Sequence, residues 1–410
     1  MSDRAALQAV AVQFWVNGMI FSSFLPRLPE LRASVGLGLT GLGWALTAGA
    51  IGGFVGSALC GPVVARHGPA RTTIVGGVGM VVALPFVGLA PTAVAFAGLL
   101  MLLHLFDTIA DVGMNIIGSD VSARRRAPVI SRLHGLWSVG TLCGGVVATV
   151  AAGAVSLRIQ LGLVAVVLAG ALAFVGPRLL AHDRAHPPEA ERPGAPGDSD
   201  RDAGSGVGVG VGETSDGPMV GRSSSSNRAM WWRLRLAALA TAAVAVEITP
   251  SDWASVALSD DLGVDETRAA AGFVAVTVGM VAGRFAGDWL TTTVGGARLL
   301  RASVATSLAG IALVAAGIGF ASAVIGLAMA GLGASVLFPR LYDEAAQAPG
   351  RPGANLGALT AGIRVGALTI PVSVGVLSGT TLTVGAAMAA VMIPATVVLL
   401  TLGASTQSAP

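Results

Sequence analysis

The chain has no lysine: all 25 of its basic residues are arginine. That absence excludes a lysine Schiff base and a Walker-type phosphate loop, both of which need the amine. Charged residues of either sign make up only 11% of the 410 residues, where a soluble domain carries about 25%. The two cysteines, Cys60 and Cys143, stand in separate apolar segments without metal-ligand spacing, so neither a metal centre nor a cofactor is expected. No zinc pair, nucleophile elbow or phosphate loop sits at the end of an apolar segment, which argues against an enzyme. No basic stretch or cleavage site precedes the first apolar segment, so no removable leader is expected.

What the chain has is apolar length. Hydrophobic residues make up 53% of it, and its mean hydropathy is +0.76. Runs of about 20 apolar residues recur from end to end, each able to cross about 30 Å of hydrocarbon. The alternating ten-residue strands of a membrane barrel are not visible. The expected fold is an all-α polytopic membrane protein. Twelve spans are predicted near 6–25, 41–64, 71–90, 92–117, 128–153, 158–180, 231–256, 268–290, 298–318, 320–340, 354–378 and 381–403.

Residues 182–229, rich in Gly, Pro, Ser, Asp and Arg, cannot bury a core and are expected to be a disordered linker. The glycines from Gly204 to Gly210 within it superficially resemble a dinucleotide loop, but no strand precedes them and no apolar helix directly follows. The expected organisation is therefore a half at 1–181, the linker at 182–229 and a half at 230–410. With the N-terminus inside, Arg66, Arg71, Arg124, Arg125, Arg126, Arg132, Arg298, Arg301, Arg340 and Arg351 fall on cytoplasmic connections. Only Arg27, Arg32, Arg158 and Arg268 fall outside. This positive-inside bias, with an even number of spans, places both termini and the linker in the cytoplasm.

An internal repeat links the halves. A shift of 227 residues aligns Ser34-Val35-Gly36-Leu37 with Asp261-Leu262-Gly263-Val264, and Thr40 with Thr267. The same shift aligns Gly56, Gly68 and Arg71 with Gly283, Gly295 and Arg298. One register held across a loop, a span and the next loop predicts two six-helix pseudo-repeats around a central cavity.

Ionisable groups inside spans are costly and mark pathways by default. In the fourth span His104, Asp107, Asp111 and Asn115 share one helical face. At about 1.5 Å per residue from Thr92, they divide by depth: His104 about 18 Å down, Asp107 about 22 Å and Asp111 about 28 Å. His104 and Asp107 are thus expected in a central cavity, with Asp107 the proton carrier. Asp111 and Asn115 are expected to tie the cytoplasmic ends of the fourth and fifth spans, with His134 or Arg132 as partner. Trp137 is a candidate for stacking or packing, and Asn17 and Glu247 complete the pathway group. Arg364, about 15 Å into the eleventh span, needs a counter-charge from Asp107, Glu247 or a substrate anion.

Gly61, Arg66, Gly68 and Arg71 match the loop signature that follows the second span in the major facilitator superfamily, and two six-helix halves resemble that superfamily over nearly the whole chain. The acidic position of the signature is Ala65 here. The second copy, Gly283-Arg284-Phe285-Ala286-Gly287-Asp288 with Gly295 and Arg298, keeps its acid. Asp111 to Asn115, Pro128 to Gly140, and Asp252-Trp253 are further similar to the bacterial fucose-permease-like, YbjJ-type branch. The resemblance implies a secondary transporter with alternating access, monomeric in a bacterial inner membrane, with no nucleic-acid partner. It implies that Arg66, Arg71, Arg132, Arg284 and Asp288 serve a cytoplasmic gate or structural latch. The expected activity is proton-coupled symport of a sugar or organic anion. A proton-driven exporter is the alternative, ranked lower because aromatics are only 5% of the chain.

Overall fold

The computed structural model describes residues 3–126, 129–185, 222–349 and 351–403. The described residues form helices and no strand: α1 (Asp3–Ser22), a short 3-10 turn (Leu25–Arg27), α2 (Leu28–Ser34), α3 (Leu39–His67), α4 (Pro69–Val87), α5 (Ala93–Arg125), α6 (Ile130–Ala151) and α7 (Leu157–Ala185). The second half holds α8 (Arg222–Leu262), α9 (Glu266–Val294), α10 (Gly296–Ala315), α11 (Phe320–Ala334), α12 (Leu337–Gln347), α13 (Pro352–Ser378) and α14 (Val384–Gly403). With α1–α2 and α11–α12 each counted as one broken span, twelve are long and apolar enough to cross a membrane. Side chains such as Val94, Val166 and Phe285 lie exposed on their flanks, as lipid-facing surfaces require.

Both breaks have a proline cause. Pro26 and Pro339 lack an N–H, and each ring crowds the carbonyl four residues back. Those residues are Ser22, where α1 ends, and Ser335, in the turn between α11 and α12. Conversely α7 runs to Ala185 and α8 starts at Arg222, so the ends of the expected linker are helical; its residues 186–221 lie outside the described ones.

The face where α1 starts, α7 ends, α8 starts and α14 ends is called here the termini face, and its opposite the far face. Within the first half α5 packs on α3 and α4, and α1 on α6; within the second, α11 packs on α9 and α10, and α8 on α13. The halves meet along two seams, α3 against α13 and α6 against α9. The 227-residue register is reproduced in backbone geometry. Gly36 and Gly263 have φ of +67° and +61°, and Gly68 and Gly295 have +80° and +83°. A Cβ on Gly52 would lie 1.8 Å from the Met101 carbonyl oxygen, and one on Gly279 would lie 2.0 Å from that of Ala328, 227 residues on from Met101. Each bare backbone lets its helix seat directly on the next, the usual route to tight packing where lipid offers no hydrophobic drive.

On the far face the halves are joined repeatedly. Arg32 meets Asp260 in two bonds, Nη1 to Oδ2 at 2.7 Å and Nη2 to Oδ1 at 2.8 Å. Thr40 donates to the Gly375 carbonyl (3.2 Å), and Thr267, its partner in the repeat, donates to that of Ala152 (2.7 Å). Glu266 accepts from Gly153 N–H (3.2 Å), and about 12–15 Å in from that face by helical rise Thr47 donates to Leu368 (3.3 Å). The acids near 260–266, which a loop reading makes a solvated face, are therefore mostly structural. Asp261 also caps α14, accepting from Val384 and Gly385 N–H at 2.8 and 2.7 Å. On the termini face, Asp183 caps α4 through Ala70 N–H (3.0 Å), and burial still pushes its carboxyl above the ordinary range.

Candidate functional site

Between the far-face contacts and the termini face, two further bonds cross the seams. Arg364 of α13 donates to the Ser57 hydroxyl of α3. Arg284 of α9 donates from Nη1 to the Ser138 hydroxyl of α6 (3.1 Å). By helical rise these four residues lie about 12–18 Å in from the termini-face ends of their helices. No hydrogen bond or ion pair among the described residues joins the halves nearer the termini face. Among the described residues the molecule is thus latched at the far face and clasped near its middle.

The two clasps are one arrangement seen twice. Ser57 and Arg284 are 227 residues apart, and Ser138 and Arg364 one fewer. The helix contacts support that shorter shift for α6 and α13. Gly140 faces the Trp15 carbonyl, and Gly366 faces Val244 and the carbonyl of Thr241, which stands the same distance after Trp15. Exchanging the halves therefore turns serine-on-α3 with arginine-on-α13 into arginine-on-α9 with serine-on-α6.

The electrostatics of the clasps differ. Arg284 Nη2 lies 3.2 Å from Glu247 Oε1 on α8, and its guanidinium stands 5.8 Å from the Trp137 ring. Arg364 has no carboxylate within 4 Å among the described residues; the Ser57 hydroxyl is its hydrogen-bond partner. Its Nη1 is 3.4 Å from where a Gly53 Cβ would stand, and the Thr108 hydroxyl is equally close to that point.

Around this point α5 supplies the stripe. His104 Nδ1 lies 2.9 Å from the Leu100 carbonyl. A carbonyl can only accept, so Nδ1 carries the hydrogen there. The ring is wedged against Gly49, whose Cβ would come within 2.7 Å, and against Phe21, 4.6 Å between centroids. Asp107 has the Asn17 amide of α1 as hydrogen-bonding neighbour, with Arg364 and Asp111 within electrostatic reach. Asp111 accepts from Asn115 Nδ2 (3.0 Å), which also donates to its carbonyl (2.9 Å).

The geometry thus brings together Asn17, His104, Asp107 and Arg364 on one side, and Glu247, Trp137 and Arg284 on the other. Several expectations change. Arg284 is not at the termini-face end of its helix but in the middle group, because α9 runs ten residues past it to Val294. Neither Asp107 nor Glu247 pairs directly with Arg364. Asp111 meets Asn115 of its own helix, and among the described residues bonds neither Arg132 nor His134. His134 instead sets its ring edge-on to Phe14 (5.2 Å). Arg66, Arg71 and Arg132 lie exposed on the termini side, and the side chain of Asp288 lies outside the described residues. Ser57, Ser138, Gly53 and Thr108 were not singled out by sequence; aligning Ser57 with Arg284 was the signal available. A separate groove of about 550 Å³, lined by Trp15, Leu136, Phe174 and Arg178 among others, holds none of this charged chemistry.

Two pseudo-symmetric six-helix halves around a polar centre are the architecture of a membrane transporter. The sequence profile of the Major Facilitator Superfamily matches residues 10–371, and the chain belongs to that superfamily. It is 27% identical over 307 residues to an uncharacterized transporter, y4wD, of Sinorhizobium fredii, covering 74% of this chain and 72% of that one. It is 26% identical over 345 residues to an uncharacterized MFS-type transporter, YPO1221/y2967, of Yersinia pestis, covering 84% and 80%. Among solved structures, the nucleoside transporter NupG superposes with a TM-score of 0.70 at 11% identity, covering 98% of this chain and all of that one.

Proposed function

We propose that this transporter moves a small polar solute, a sugar or organic anion, by proton-coupled symport. The supporting observation is the placement of Asp107: a carboxyl inside the fourth span, beside Asn17 of the first span and within reach of Arg364 from the other half. A carboxyl there couples protonation to the relation between the halves, because its charge is felt across the seam. The moving bodies are residues 1–181 and 230–410, joined by 182–229. The arginine distribution supports placing both termini in the cytoplasm of a bacterial inner membrane. The Asp111–Asn115, Pro128–Gly140 and Asp252-Trp253 stretches support membership of the fucose-permease-like branch, and the transporter is read as a monomer.

The test is uptake into proteoliposomes under an imposed pH gradient, with the wild type and Asp107→Asn compared. Accumulation that needs the gradient and disappears in the variant supports coupling; accumulation indifferent to the gradient refutes it. A second reading is proton-driven export: among the described residues the clasps are the bonds between the halves nearest the termini face, which on the proposed orientation is the loading face for outward cargo. Accumulation only in vesicles acidified on the far-face side of the membrane, with cargo supplied at the termini face, would select it.

A further inference from the structure

We propose that the substrate carries a carboxylate, and that this group binds Arg364 as Glu247 binds Arg284. The inference rests on the transporter reading and names the substrate class of the same site. It starts from the inequality of the two clasps. Arginine held inside a span is costly without a counter-charge, and three other enclosed arginines of this chain have one within 4 Å. Arg27 lies 2.5 Å from Glu30, Arg235 lies 2.5 Å from Glu344, and Arg284 lies 3.2 Å from Glu247. Arg364 has a neutral hydroxyl instead.

The repeat shows where its acid would have stood. The register that matches Ser138 to Arg364 matches Glu247 to Phe21. Phe21 turns its ring to His104, 4.6 Å away, and offers no charge. The first half therefore keeps the clasp and omits the acid. Beside the guanidinium the chain also omits a side chain: Gly53 leaves open the point where Arg364 Nη1 and the Thr108 hydroxyl converge, each 3.4 Å from it. Ser57 and Thr108 spend their own hydrogens on the carbonyls of Gly53 (3.1 Å) and His104 (2.9 Å). Arg364 is thus the donor that remains directed at the opening, and a planar guanidinium suits a carboxylate's two oxygens. A neutral sugar would leave the guanidinium without a directly paired carboxylate when the site closes around it.

Binding is measured by thermal shift on the purified full-length chain, without any gradient. The probes are acetate, lactate, gluconate and galacturonate, each against its amide or neutral parent: acetamide, lactamide, sorbitol and galactose. At least one carboxylate is expected to raise the melting temperature by several degrees, its neutral counterpart by none. Arg364→Gln should abolish the shift, and Arg364→Lys, keeping a point charge, should retain part of it. Because Arg364 has no directly paired carboxylate to leave behind, ligand-free Arg364→Gln should melt no lower than the wild type, so that loss of binding is not loss of fold. A neutral probe matching its carboxylate, a carboxylate shift that survives in Arg364→Gln, or no carboxylate shift at all overturns the proposal. Gradient-driven uptake of galactose or sorbitol alongside any of these results would leave the symporter reading standing.

Discussion

Glu247 and Arg284 face each other at 3.2 Å on neighbouring helices of the second half, while Arg284 also reaches Ser138 in the first. One ion pair therefore both neutralises a membrane-embedded arginine and holds it in position to bridge the seam. Glu247→Gln leaves the guanidinium unmatched. A buried pair broken this way loses about 3–5 kcal/mol; with 32% of the Arg284 side chain exposed, about 1–3 kcal/mol is expected here. Thermal melting should show Glu247→Gln below the double variant Glu247→Gln/Arg284→Gln. A double variant that melts lower than the single would contradict this.

Asp107 and Asp111 are one helical turn apart and differ in company. Asp107 has neighbours from α1 and α13, whereas Asp111 is held by Asn115 of its own helix. Asp107→Asn is expected to abolish gradient-driven accumulation, with exchange of labelled substrate at equal concentrations retained. Asp111→Asn should keep at least about half of the accumulation, since an amide still serves Asn115 with an acceptor. Equal losses in both assays for both variants would show that the turn acts as a unit.

The far-face latch centres on Arg32 and Asp260, with 17% and 23% of their side chains exposed. Such a pair contributes about 0.2–1 kcal/mol, enough to shift the balance of two conformations several-fold without unfolding either. In a chain whose own cysteines are replaced, Thr47→Cys should react faster with an impermeant maleimide from the far face once Arg32→Gln is added. The charge-swapped pair Arg32→Asp with Asp260→Arg should slow the reaction again.

Gly52→Ala and Gly279→Ala should each destabilise by about 1–3 kcal/mol, because both insert a methyl into a neighbouring backbone carbonyl. Gly98, with open space around its Cβ position, supplies the control. Equivalent losses at the two repeat-related positions and none at Gly98→Ala, read by melting in detergent, are the expected pattern.

A carboxylate monoanion moved with one proton carries no net charge. With the pH gradient clamped at zero, a potassium diffusion potential of either sign should leave the initial uptake rate unchanged. A rate that follows the sign of the potential would call for a different proton count or a neutral substrate.

Span number and the repeat were legible because they depend on length and spacing alone. The alignment of Gly36, Gly56 and Gly68 with Gly263, Gly283 and Gly295 reads directly in the sequence, and positive φ at the first and third pairs explains why glycine stands there. Pro26 and Pro339 announced two helix breaks that continuous spans at 6–25 and 320–340 overlooked. The partners of Arg284, Arg364 and Asp111 were not legible. Depth along a helix follows from residue count, but the direction a side chain faces depends on how the helix is rotated in the packed bundle. Arg284 shows the distinction: its loop-signature context suggested a cytoplasmic latch, and ten more residues of helix place it beside Glu247.

The paired serine–arginine clasps also have a mechanical meaning. They lie at similar depth on opposite seams, so in the proposed transport cycle the line between them would serve as a fulcrum for the two halves. Rocking about that line would move the clasps least and the far-face contacts, Arg32–Asp260 and Thr40–Gly375, most. The cargo proposed for Arg364 would then sit beside the pivot itself, where a small change in charge acts on both lever arms at once.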